Sequence, residues 1–361
     1  MAAKQFYSLR VRDIRRETDT CVSVAFDIPS EDRADFQFEA GQYITFKQTI
    51  GGEELRRSYS LCSAPHEGEW RVAIKAVEDG RFSGWANTAL KVGDVLETMP
   101  PMGNFVYKPN ASLARHVVAF AAGSGITPMM SIMKTVLAEE PNSRFTLIYG
   151  NQRVASIIFK EEIEALKNKY TERLQVIHIL SREKLETDLH CGRICCEKCD
   201  QLFGTLLSLS DVDQYFMCGP EAMILEVKDW LVNKGVSADK VKFELFSSDS
   251  AKQQKEAYKK EHAADAGKMS RITIKVDDRS MEFDLAFAGD TILDAALKQG
   301  ADLPFACKGG VCCTCRAKVV AGSVDMELNY ALEPDEVAQG FVLTCQAHPT
   351  SDRVVIDFDA R

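Results

Sequence analysis

The run Cys307-Lys-Gly-Gly-Val-Cys312-Cys313-Thr-Cys315 crowds four thiols into one short loop, and Cys345 adds another after a long gap. A C-x4-C-x2-C loop with a distant fourth cysteine is the plant-type [2Fe–2S] spacing. Two irons bridged by two sulfides need four thiolates converging on a small volume. Cys307, Cys312 and Cys315 come from one tight loop, and Cys345 arrives from a distant strand and ties that loop down. Gly309 and Gly310 let the backbone wrap close to the inorganic sulfides, where its N–H groups donate. A structural zinc site or a set of buried thiols is the alternative, but zinc usually takes paired short knuckles. Cys313 falls outside the spacing and is read as a packed thiol.

A chain of 361 residues exceeds one compact core and fits two or three domains. Residues 1–110 read as short strands with turns, among them Tyr43–Phe46, Arg57–Leu61 and Trp70–Ala76. With a single helical stretch at Phe82–Leu90, they predict an antiparallel β-barrel. Residues 111–246 alternate strand and helix, which predicts an α/β doubly wound parallel sheet with ligands at the strands' carboxyl ends. Residues 247–269 are polar and charged, with little to bury, and read as a partly helical linker. Residues 270–361 resume strands around one helix near Thr291–Gln299 and predict a small α+β domain.

Partners are bounded by charge and hydropathy. A net charge of −9 argues against nucleic acid, which wants a basic face. No apolar run reaches the ~18 residues of a membrane helix, so no membrane partner is expected. Twelve cysteines with no secretion signal at Met1–Arg16 point to the reducing cytoplasm.

Four shorter motifs carry cofactor chemistry. Arg57-Ser58-Tyr59-Ser60 offers an arginine for a phosphate, an aromatic ring for stacking and a hydroxyl beside it. A strand with an exposed arginine and a core tyrosine would read the same way. Gly80-Arg81-Phe82-Ser83 opens the barrel's helix, and a helix N-terminus can hold pyrophosphate. Ala122-Gly123-Ser124-Gly125-Ile126-Thr127-Pro128 joins a strand to a helix, as a dinucleotide turn does. Cys218-Gly219-Pro220 makes a second such turn.

Nucleotide preference rests on Arg153, Ser181 and Arg182, at the ends of two neighbouring strands. Basic and hydroxyl groups there suit a ribose 2′-phosphate, favouring NADPH with NADH left open. A second thiol group, Cys191, Cys195, Cys196 and Cys199 beside His190, is either a zinc site or incidental.

Residues 270–361 resemble a plant-type ferredoxin domain over their whole length, cluster ligands included, which implies a β-grasp-like fold. Arg57-Ser58-Tyr59-Ser60 resembles the R-x-Y-[ST] motif of the ferredoxin–NADP reductase superfamily. In that superfamily the G-x-x-S element seen at Gly80–Ser83 marks FAD over FMN. Pro101-Met102-Gly103-Asn104-Phe105 resembles the turn after the last barrel strand. The resemblance implies that Arg57, Ser58, Tyr59, Ser60, Gly80, Phe82 and Ser83 hold FAD. It places Gly123, Ser124, Gly125, Thr127, Pro128, Gly219 and Pro220 on the nicotinamide nucleotide, with Cys218, Tyr59 and Ser60 beside the hydride path. Phe246 would shield the flavin.

The domain order resembles the reductase components of bacterial multicomponent oxygenases. It implies electron flow from NADPH through FAD and [2Fe–2S] to a diiron oxygenase component. A ring- or steroid-hydroxylating oxygenase as partner, or a stand-alone flavin diaphorase, remains the alternative.

Overall fold

A computed structural model describes residues 6–185, 187–247, 251–265 and 267–360. The chain forms two compact units. One comprises Phe6–Pro101 with Phe105–Phe246, and the other Ser247–Arg361 with Met102–Asn104.

The first unit begins with six antiparallel strands. These are β1 (Tyr7–Thr18), β2 (Cys21–Asp27), β3 (Tyr43–Ile50), β4 (Glu53–Ser60), β5 (Trp70–Lys75) and, after helix α1 (Arg81–Thr88), β6 (Val95–Thr98). Tyr7, Leu9 and Val11 point inward along β1 while Ser8, Arg10 and Arg12 point out, the period of a strand with one buried face. The sheet order is β4-β3-β6-β1-β2-β5, and a bridge from Leu61 to Val72 brings the end of β4 back onto β5. That closure makes the barrel. Phe26, Phe46, Phe82 and Leu96 fill it, each essentially without solvent exposure.

The same unit continues as strand and helix in alternation. The elements are β7 (His116–Ala122), α2 (Ile126–Glu139), β8 (Arg144–Asn151), α3 (Lys160–Lys169), β9 (Leu174–Leu180), α4 (Cys196–Thr205), β10 (Gln214–Cys218), α5 (Glu221–Asn233) and β11 (Val241–Glu244). All five strands pair in parallel, in the order β11-β10-β7-β8-β9. From β7 the chain moves outward to β8 and β9, then returns to the other side of β7 at β10. The strand order therefore reverses between β7 and β10, and ligands of such sheets bind at that reversal. Covered on both faces, β7 can be the nearly unbroken apolar run HVVAFAA.

The second unit holds α6 (Ala251–Glu261), β12 (Met269–Val276), β13 (Arg279–Ala286), α7 (Ile292–Lys298), β14 (Arg316–Ala321), β15 (Val324–Met326), α8 (Pro334–Ala338), β16 (Phe341–Leu343), β17 (Ala347–Pro349) and β18 (Arg353–Asp357). A mixed sheet, β13-β12-β18-β14-β16, packs against α7, whose first turn is capped by the Thr291 hydroxyl accepting from the Asp294 N–H. Parallel pairing of β12 with β18 at the sheet's centre gives it the β-grasp form.

The polar segment read as a linker has more to bury than its composition indicates. The ring of Tyr258 on α6 is buried between His262, 4.0 Å away centre to centre, and His348 on β17, 4.7 Å away. One aromatic anchor ties the later part of that segment to β17, and an average over twenty residues conceals it. Residues 248–250 and 266 of the segment lie outside the described residues. Among the described residues, no helix is long and apolar enough to cross a membrane.

Candidate functional site

The carboxyl ends of β7 and β10 meet through two glycine turns. Gly125 packs so closely on the second turn that an added Cβ would overlap the Cys218 carbonyl and come within 2.8 Å of the Gly219 nitrogen. Gly219 returns the contact, with its own absent Cβ 3.1 Å from that of Ala122. Tyr149 OH donates to the Gly123 carbonyl at 3.0 Å, and Thr127 Oγ1 donates to the Ser124 carbonyl at 3.0 Å. These bonds hold a bare backbone surface at the N-terminus of α2, a cradle that fits a pyrophosphate. Pro128 is buried in the first turn of α2, and Pro220 caps α5. Lys75, ending β5, brings its ammonium beside Gly123. No motif in the sequence singles that lysine out.

Three side chains from different elements converge beside this cradle. Cys218 ends β10 and stands opposite Glu244 of β11 in the parallel register. Ser60, at the end of β4, donates its hydroxyl to Glu244 Oε2 at 3.0 Å. Burial pushes the Glu244 carboxyl up to about 8, partly offset by the bond from Ser60. Burial also drives the Cys218 thiol well above its ordinary value, with the neighbouring Glu244 adding to the shift. At neutral pH these three groups are therefore a neutral carboxyl, a neutral thiol and a hydroxyl.

The proton state of Glu244 has a measurable consequence. Between about pH 4.5 and about 8 the carboxyl is protonated when folded and ionised when unfolded, so folding takes up a proton. Stability from this group is full below that window and is lost as pH rises through it. Glu244→Gln should flatten this slope in urea midpoints measured across the window. Parallel curves for variant and parent would contradict the assignment.

On β4 the predicted flavin residues divide by face. Arg57 is exposed and donates to the Arg56 carbonyl at 2.7 Å, while Ser58 Oγ meets Thr45 Oγ1 at 2.9 Å. The Tyr59 ring is half-buried and rests on Phe82 (5.7 Å between centres) and Phe46 (6.0 Å). Burial pushes its hydroxyl up. Phe82 itself is 1% exposed and belongs to the barrel core. It backs Tyr59 rather than facing solvent. Ser83 accepts from the Val77 N–H at 3.3 Å and donates to the Gly80 carbonyl at 3.2 Å, fixing the turn that starts α1. Gly80 has no side chain to cap α1, so the first N–H groups of that helix have no side-chain partner from the N-cap residue. An aromatic face, an exposed guanidinium and an uncapped helix start fit a flavin dinucleotide.

In the second unit the cysteines expected to hold the cluster meet in pairs. The sulfurs of Cys307 and Cys312 lie 3.1 Å apart, and Cys345 faces both Cys307 and Cys315. The Gly309 N–H donates to Cys307 Sγ at 3.3 Å, and the Gln346 amide donates to Cys345 Sγ at 3.4 Å. Paired thiols with N–H donors around them suit two irons, each taking two thiolates.

Comparison with known proteins agrees segment by segment. An oxidoreductase FAD-binding domain matches residues 9–107, an oxidoreductase NAD-binding domain residues 120–229, and a 2Fe-2S iron-sulfur cluster binding domain residues 274–350. One component of the 1,2-phenylacetyl-CoA epoxidase of Escherichia coli (strain K12) is 43% identical, over 99% of this chain and 98% of its own. The chain belongs to the ferredoxin reductase family of flavin and iron–sulfur oxidoreductases. Another relative, the ferredoxin reductase component of a Rhodococcus rhodochrous 3-ketosteroid-9-alpha-monooxygenase, is 33% identical over 97% of this chain and 96% of its own. Phthalate dioxygenase reductase shares the fold, with a TM-score of 0.58, 21% identity and 98% coverage of both chains.

The remaining predicted residues of this ferredoxin reductase are less concentrated. Arg153 and Arg182 are exposed at the mouths of β8 and β9, held side by side by N–H donation from Ser181 to the Asn151 carbonyl and from Arg182 to the Gln152 carbonyl, both 2.9 Å. Glu183 accepts from the Val154 N–H at 3.0 Å in the same mouth. Phe246 follows β11 and is exposed.

The four thiols near α4 do not come together. Cys199 is buried in the core, and Cys191 accepts from the Leu185 N–H at 3.3 Å. Cys195 instead gathers with Glu197 and Glu226, their ligand atoms within 4.8 Å of one another. Glu226 there caps α4 by accepting from the Cys196 N–H at 2.8 Å. That bond gives Glu226 a structural role of its own.

Proposed function

We propose that this ferredoxin reductase is the NADPH-using reductase component of a multicomponent oxygenase, with a diiron partner that epoxidises phenylacetyl-CoA. Its full-length likeness to the phenylacetyl-CoA epoxidase component carries the reading. Electrons pass from NAD(P)H to FAD and on to the [2Fe–2S] cluster. When bound, the flavin would supply acceptance of one hydride (two electrons and a proton) with release of its electrons one at a time, and the cluster would supply one-electron relay.

The residues divide the work. The Gly125 and Gly219 turns admit the nucleotide backbone close to the sheet, and the start of α2 faces its pyrophosphate. Arg153, Ser181 and Arg182 would hold a 2′-phosphate, which makes NADPH the preferred donor. Arg57 and the start of α1 would take the flavin phosphates, with the Tyr59 ring against the isoalloxazine. Ser60 would hold its hydroxyl at the flavin's reacting edge, with Glu244 fixing its direction. Cys218, neutral and buried, would close the nicotinamide side against water. Cys307, Cys312, Cys315 and Cys345 would hold the cluster.

Reconstitution decides the partner. With NADPH and phenylacetyl-CoA, the protein should support product formation by a phenylacetyl-CoA epoxidase oxygenase and not by a 3-ketosteroid oxygenase. NADH should serve less well at equal concentration. Turnover of small-molecule acceptors alone, with no oxygenase supported, would favour a diaphorase and end the proposal.

A further inference from the structure

Gln346 immediately follows the fourth cluster cysteine and is 5% exposed. Its side-chain nitrogen lies 3.4 Å from Cys345 Sγ, 2.8 Å from the Cys345 carbonyl and 3.2 Å from the Lys308 carbonyl. All three neighbours are acceptors. An amide with its oxygen turned toward them would face lone pairs on every side, so the NH2 end must point inward. The side chain also lies across Gly310, where an added Cβ would come 3.3 Å from Gln346 Cγ. Its backbone is pinned as well: the N–H donates to the Leu343 carbonyl at 2.8 Å, and the carbonyl accepts from the Glu327 N–H at 2.9 Å. One buried carboxamide thus links the turn bearing Cys345 to the loop bearing the other three thiols, its two N–H groups shared among three acceptors that include a ligand sulfur.

We propose that the Gln346 carboxamide raises the reduction potential of the cluster by donating a hydrogen bond to the Cys345 thiolate. The inference rests on Cys345 being a cluster ligand. Reduction adds one electron, and part of its charge resides on the ligand sulfurs. An N–H dipole fixed at such a sulfur stabilises the reduced form more than the oxidised one. Burial strengthens that preference, because water is not present to supply a competing dipole. Gln346 is therefore a positioning residue that acts through Cys345, and the bond to Lys308 sets its direction.

Gln346→Met keeps the length and removes both N–H groups, in the full chain loaded with flavin and cluster. Iron and sulfide content should stay near the parent value, which separates this test from loss of the ligand set. At a fixed applied potential the reduced-to-oxidised ratio of the cluster should fall about three- to tenfold, a tenfold change being about 59 mV for one electron. The flavin potential should not move. An intact cluster with an unchanged potential would overturn the proposal and leave Gln346 as a mechanical strap. A second readout needs no variant. Glutamine labelled with 15N on its side chain should show nitrogen coupling to the reduced cluster in pulsed electron paramagnetic resonance. No coupling in the parent protein would overturn the proposal as well.

Discussion

Cys345→Ala is expected to strip the cluster from the protein while leaving flavin reduction by NADPH intact. The three loop thiols sit on adjacent turns, but Cys345 comes from the far segment after β16 and faces both Cys307 and Cys315. Without it one iron keeps a single protein thiolate. Losing a partner that only hydrogen-bonds a ligand costs roughly 10- to 100-fold in metal affinity, so losing the ligand itself should exceed that. Iron and sulfide analysis should show near-complete loss, and cluster-dependent reduction of a one-electron protein acceptor should fall more than about 100-fold. Ferricyanide, which can take electrons from flavin, should still be reduced. Cys313→Ala is the matched control and should keep its iron. Loss in the Cys313 variant with retention in the Cys345 variant would overturn the ligand assignment.

Gly125→Ala should nearly abolish hydride transfer from the nucleotide. The added methyl would overlap the Cys218 carbonyl, and both partners are backbone, so no side chain can rotate away. Overpacking in a tight interior typically costs about 1–3 kcal/mol. Here the strain has one outlet, separation of the two turns that position the nucleotide. A misplacement of about 1 Å between reacting groups can cost about 100-fold in rate. Stopped-flow reduction of the flavin by NADPH should therefore slow by that order, with the cluster's absorption unchanged. Gly204→Ala on α4, where an added Cβ meets nothing within 4 Å, should leave the rate alone. Similar slowing in both variants would mean that general destabilisation is responsible and not the contact between turns.

How much of this could be read from residues alone depended on the kind of constraint. Ligation of two irons restricts thiol spacing along the chain, so a 2Fe-2S domain was legible from the loop at Cys307–Cys315 without a structure. Glycine turns between strand and helix are nearly as explicit, because the close approach of Gly125 to Cys218 tolerates no Cβ. Glu244 was silent for the opposite reason. It matters only because parallel pairing of β10 with β11 sets it opposite Cys218, and barrel closure brings Ser60 to it. No spacing encodes a meeting of residues 184 positions apart.

Phe82 shows a different limit. A four-residue motif says where a helix starts but not which face turns inward, and this ring turned to the core. The three-residue strands β15 and β17 are too short to show a period. Tyr258 is one aromatic in a polar run, so its anchoring of α6 could be found only in three dimensions.

The most direct test of an electron path from nucleotide to cluster is an anaerobic titration of the full chain with NADPH. Flavin absorbance and the paramagnetic signal of a reduced [2Fe–2S] centre would be followed in the same sample. The account predicts that flavin bleaching is accompanied by that signal, in proportion to the nucleotide added. A flavin that bleaches while no cluster signal appears, or a protein that carries zinc and no iron, would contradict it.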